Sequence, residues 1–109
     1  MIGRYRLTRE DVLTGRKFED GVVRAGWPIE LWEDGCLGAS YEYLDDGETY
    51  DIPLRCLQSS DVDNLFVTGR CMSASHEALG SARVIGTCLA MGEAAGLAAA
   101  RHAAERSSA

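Results

Sequence analysis

No Gly-x-Gly-x-x-Gly run, no Gly-x-x-x-x-Gly-Lys-Ser/Thr loop and no Cys-x-x-Cys pair occurs anywhere in the 109 residues. The first absence removes the usual strand-to-helix turn that holds a dinucleotide, and the second removes a phosphate cradle for nucleoside triphosphates. The third removes zinc ribbons and iron–sulfur loops, so no metal site is expected from Cys36, Cys56, Cys71 and Cys88. Positive charge is also short, with 11 basic against 17 acidic residues and a net charge of −6. An acidic surface repels phosphate backbones and anionic lipid, which argues against nucleic acid and membranes as partners. The longest apolar stretch, Ile85 to Ala100, contains Glu93, Gly86, Gly92 and Gly96 and is shorter than the roughly 20 residues a membrane span needs. The start, MIGRYRLTRED, has no apolar stretch of the kind an export signal carries. With four cysteines in no disulfide-like spacing, a reduced, cytoplasmic protein is the expectation.

What is present is enough for one domain or a piece of one. Hydrophobic residues make up 46% of the chain, which fits a globular protein. A domain of this size buries roughly 60–65% of its unfolded surface, a modest core. Ile2–Leu7 reads as a short strand. Thr8 opens a capping box, T-R-E-D, for a helix over Glu10–Leu13 that Gly15 stops. Val22–Trp32 holds β-formers around Pro28 and reads as an extended edge segment or loop. Asp45-Asp46-Gly47 between Ser40–Leu44 and Glu48–Ile52 signals a hairpin, with Pro53 ending regular pairing.

The second half differs in kind. Asp61 to Asn64 forms a turn, and Leu65–Thr68 reads as a buried strand stopped by Gly69. Ser75–Leu79 suggests a short helix ended by Gly80. From Thr87 to about Arg106 the chain is alanine-rich and helical, with Glu93 the only charge between Cys88 and Ala99. So apolar a helix should be buried on most faces, against something larger than these residues supply.

The strand, Gly69-Arg70, loop and helix order is where α/β proteins place ligands, although it also describes an ordinary βα connection. N–H groups at the helix start favour negative charge, and Gly86 permits close backbone approach. Gly92, Gly96 and Ala100 make a ridge of small residues that would admit another backbone, or simply pack on the helix's own sheet. His76 can move a proton near neutral pH and Arg83 can hold an anion; a core histidine and a surface arginine are the plain alternatives. Cys71 and Cys88 read as small apolar residues, not redox partners.

Residues 50–100 hold NLFVTGR, then HEALGSARV, then the helix GTCLAMGEAAGLAAA in that order. This resembles the C-terminal signature of FAD-dependent oxidoreductases distantly related to the flavoprotein subunits of fumarate reductase and succinate dehydrogenase. GRYRLTREDVLTGRKFEDGVVRAGWPIELW resembles the segment that precedes it, so the likeness covers nearly the whole chain. The resemblance implies an α/β, or α+β, fragment. Residues 1–57 would be the remnant of a substrate or cap region with strands and a hairpin. Residues 58–109 would be the C-terminal strand, loop and long buried helix of a Rossmann-like FAD-binding domain. It implies FAD as cofactor, with Gly69 and Arg70 along its ribityl and phosphate part and Gly86, Thr87 and Cys88 against the pyrimidine edge of the flavin. It implies His76 and Arg83 as substrate-facing catalytic groups for hydride or electron exchange with a small organic molecule. By that resemblance the 109 residues are expected to be part of a longer enzyme and inactive on their own. A non-catalytic module or truncated remnant that docks on another FAD-binding chain stands as the other expectation, as does self-association through the apolar helix.

Overall fold

The computed structural model describes residues 2–32, 39–44 and 48–107. Among the described residues it is α+β: short antiparallel strands, two short α-helices and a long C-terminal α-helix.

Helix α1, Arg9–Leu13, starts as its sequence dictates. Thr8 Oγ1 accepts the Asp11 N–H at 3.2 Å and Asp11 Oδ2 accepts the Thr8 N–H at 3.0 Å, which closes the capping box. Asp11 is only 3% exposed, and burial alone would raise its carboxyl. Hydrogen bonds from Tyr5 Oη, the Thr8 N–H and Arg16 outweigh this and hold it below the usual carboxylate range. Gly15 turns the chain at φ 65°, beside the Thr49 carbonyl.

Strands β1 (Gly21–Ala25), β2 (Ile29–Trp32), β3 (Ala39–Glu42) and β4 (Tyr50–Pro53) pair in a nested order. β1 pairs antiparallel with β4, through Val23 opposite Ile52 and Ala25 opposite Tyr50. β2 pairs antiparallel with β3, from Ile29 opposite Glu42 to Trp32 opposite Ala39. The hairpin expected from 40–44 and 48–52 therefore does not form, because each arm takes a partner from the segment 21–32 instead. The Asp45-Asp46-Gly47 turn itself lies outside the described residues. Pro28 has no N–H to give a ladder, and the two pairings break around it. Val22–Trp32 thus takes the extended edge form, as two short strands that each sit at the edge of a two-stranded sheet. Val23, Ala25, Tyr50 and Ile52 bury one face against Leu7, Val12, Leu57 and Met91, and this is the core.

Two expected strands are absent. Ile2–Leu7 makes only single bridges, Gly3 to Ser59 and Leu7 to Ala74. Leu65–Thr68 makes one, Gln58 to Phe66, and Leu65 is 43% exposed rather than buried. The run pairs only with the short stretch 57–59, through the Ser59 N–H to the Leu65 carbonyl and the Val67 N–H to the Leu57 carbonyl, which is too little to make a strand of a sheet.

Helix α2, His76–Ala82, is capped by Ser75, whose side chain accepts the Ala78 N–H. Gly80 does not end it. It sits buried inside the helix, where a Cβ would stand 2.8 Å from the Glu30 carbonyl oxygen, so the glycine serves a close approach to β2. After a 94° bend, α3 runs over Ile85–Ser107, starting two residues before the expected Thr87. The described residues alone cover only one side of it, as expected of a helix that needs something larger: Met91 and Ala95 are buried, while Ile85, Leu89 and Leu97 are 79%, 71% and 51% exposed. Among the described residues no single helix is long and apolar enough to cross a bilayer.

Candidate functional site

The bend between α2 and α3 organises the sequence-derived candidates. On α2, His76, Leu79, Gly80 and Arg83 fall at i, i+3, i+4 and i+7, so they share one face. That face meets Glu30 and Leu31 of β2 across a groove of about 270 Å³. His76 and Arg83 stand at its two ends, one on the first turn and one at the C-cap. Arg83 Nη2 donates to the Glu30 carbonyl at 3.4 Å, a long bond that leaves the other guanidinium donors available. His76 is exposed to solvent.

A second groove, of about 400 Å³, lies at the start of α3. Gly86 and Thr87 line it from the helix end, and Arg24, Gly26 and Trp27 line it from the end of β1 and the turn after it. The Cys88 N–H donates to the Val84 carbonyl at 2.9 Å and closes the first helical turn. The N–H groups before it point out of the helix end, which carries the positive pole of the helix. Nothing lies within 4 Å of a Cβ built on Gly86, so the space that a side chain would fill stays open to a ligand.

Cys88 does not join Gly86 and Thr87. Its thiol donates to the Arg83 carbonyl at 3.3 Å and lies on the other side of the helix, facing Gly69. Gly69 sits in a left-handed conformation, φ 64°, and a Cβ there would stand 3.8 Å from Cys88 Sγ. Arg70 follows it, exposed, on the same 3-10 turn, Gly69–Cys71. The cofactor-binding candidates thus form two groups, Gly86 with Thr87 and Gly69 with Arg70 and Cys88. Cys71 is exposed, against the expectation of a buried apolar thiol. Among the described residues no group of three or more His, Cys, Asp or Glu side chains is placed to hold a metal.

Sequence reasoning missed Glu30 and Leu31 in the first groove and Arg24 and Trp27 in the second. All four come from 24–31, a segment that carries no motif of its own. Its Trp-Pro pair was the available signal, since an aromatic held before a proline is pre-set in extended backbone.

The two grooves share no lining residue but are built from adjoining stretches of chain, 30–31 with 76–83 in the first and 24–27 with 84–90 in the second. Arg83 and Gly86 are three residues apart, at most about 10 Å. A family model described as FAD dependent oxidoreductase matches residues 1–109. No curated protein and no solved structure matches the chain.

Proposed function

The chain belongs to the FAD-dependent oxidoreductase family, whose cofactor is FAD, and from that premise we propose that flavin and substrate meet at the α2–α3 bend. The adjoining walls of the two grooves carry this assignment, because a redox reaction needs its two partners close together and Arg83 and Gly86 are only three residues apart. Gly86 and Thr87 would hold the flavin at the start of α3, with Gly69 and Arg70 holding a more distant part of FAD. The groove fits such a group, being open at Gly86 and positively poled by the helix end. Bound FAD supplies the acceptor or donor for a hydride. The chain's own residues do the rest. Arg83 holds an anionic group of a small organic substrate with the donors that Glu30 does not take. His76, two helical turns away on the same face, gives or takes the accompanying proton at the substrate. Residues 58–109 would then be the C-terminal part of a Rossmann-like FAD-binding domain.

The test is a pair of variants. Gly86→Val puts two methyl groups into the open space and is expected to weaken FAD binding by about tenfold, the scale of losing a partly buried helix-end contact. Glu105→Gln, at the far end of α3, should leave binding unchanged. Flavin occupancy and midpoint potential, measured on both, decide it. Wild-type values for Gly86→Val would reduce the α3 start to packing alone.

One observation favours a second role. Ile85, Leu89, Gly92, Gly96 and Ala99 are all exposed and share a side of α3 with no charge among them. A bare apolar face of this kind normally has a partner. The protein is expected to self-associate and to bind a hydrophobic dye. Sedimentation showing a monomer at high concentration, with no dye bound, would count against an interaction surface there.

A further inference from the structure

We propose that Trp27 is a flavin-contact residue, the aromatic wall of the groove at the start of α3; this rests on the flavin placement proposed above. The observation behind it is how firmly an exposed tryptophan is held. The Trp27 side chain is 48% exposed and lines the groove opposite Gly86 and Thr87. Leaving that much indole in water is unfavourable, and nothing in the core needs it there.

Its backbone, by contrast, is tied to the centre of the protein. Tyr50 Oη and Ser81 Oγ, both fully buried, are 2.7 Å apart, and Ser81 Oγ donates to the Trp27 carbonyl at 2.6 Å. Burial pushes the Tyr50 hydroxyl up to about 12, so it stays protonated and serves as the donor to Ser81. This chain of buried polar groups has every member satisfied, the condition under which such a network fixes one geometry. Pro28 restricts Trp27 to extended backbone, and α2 presses on the next residues, with Gly80 against the Glu30 carbonyl. The fold therefore locks the position of residue 27 while leaving its ring at the groove. A planar, polarizable ring system is the ligand that such a wall suits, by stacking or edge contact. Arg24, beside it in the groove, makes no ion pair among the described residues and adds a cation to the same space.

The experiment is a titration of FAD into a full-length apoprotein that contains these residues and its Trp27→Ala, Trp27→Phe and Gly86→Val variants, followed by flavin emission. An indole in contact with a flavin donates an electron to its excited state and darkens it. Trp32 remains in every variant, so only the contact at 27 changes. Trp27→Ala is expected to weaken binding about three- to tenfold, the worth of one aromatic contact, and to brighten the bound flavin. Trp27→Phe should hold affinity within about twofold and brighten it as well. An unchanged thermal midpoint shows that the fold is intact; if the alanine variant does not fold, the emission of Trp27→Phe decides. Wild-type affinity and emission in both Trp27 variants, with Gly86→Val weakened, would overturn the role of Trp27 alone. No change in any variant, or no FAD bound by the wild type, would overturn the flavin placement and the role of Trp27 with it.

Discussion

In a full-length enzyme that contains these residues, Arg83→Ala is expected to lower turnover by about 10²–10³ while the flavin stays bound, the usual consequence of removing one preorganised donor at a reacting centre. Arg83 suits that position because the fold has already oriented it. It caps α2 with its backbone N–H on the Leu79 carbonyl, and one guanidinium nitrogen rests on the Glu30 carbonyl. The remaining donors form a planar fork that matches a carboxylate. Arg83→Lys keeps the charge and loses the fork, so it should recover only part of the rate. The measurement is the stopped-flow rate of flavin reduction or reoxidation by substrate, beside the visible absorbance that reports occupancy. Wild-type rates in Arg83→Ala would leave the residue with its contact to Glu30 and nothing more.

The second large effect is on stability. Gly80→Val is expected to destabilise the protein by about 3 kcal/mol, at the upper end of overpacking costs. Glycine inside a helix is unfavourable by about 1 kcal/mol relative to alanine, so its presence in α2 needs a compensating reason. That reason is the Glu30 carbonyl oxygen, 2.8 Å from where a Cβ would sit, and a backbone oxygen cannot swing aside as a side chain can. The helix must move off β2 or the strand must bend. A fall in melting temperature of about 10 °C or more should follow for a chain of this size. Gly86→Val provides the contrast within the same protein. Its Cβ meets nothing within 4 Å, so it should alter flavin binding and leave the melting temperature within a few degrees. A Gly80→Val protein as stable as the wild type would mean that the α2–β2 contact is loose.

The same two glycines show what could be read from sequence and what could not. Gly80 looked like a helix stop, because a glycine near the end of a periodic run usually is one. Its actual use, a close approach to a strand fifty residues earlier, is a tertiary fact that no local pattern encodes. Local signals fared well where the chemistry is local: Thr8 and Asp11 build the capping box, Ser75 starts α2, and α3 lies nearly where its composition placed it. Strand pairing fared worse. Asp45-Asp46-Gly47 is a sound turn signal, but which strands it joins depends on partners at 21–32 that present equally good β-formers. Leu65–Thr68 has the composition of a buried strand but finds only the short stretch 57–59 to pair with. Of the candidate site, family likeness pointed to the residues on the bend and not to the opposing wall at 24–31, which is their neighbour only in the folded chain.

The nested pairing of the four strands also sets an order of events in folding. β2 and β3 close first, because the gap from Trp32 to Ala39 is short. Forming β1–β4 directly from the open chain would require closing the loop from Ala25 to Tyr50. With β2 and β3 already paired, most of that loop is spanned by structure, and the entropy of closure falls with the shortened effective length. The ribbon should therefore zip outward from the inner pair, and the Tyr50–Ser81 contact, which needs both β4 and α2, should come late. Changes in β2 or β3 would then slow folding, whereas changes at Tyr50 or Ser81 would mainly hasten unfolding.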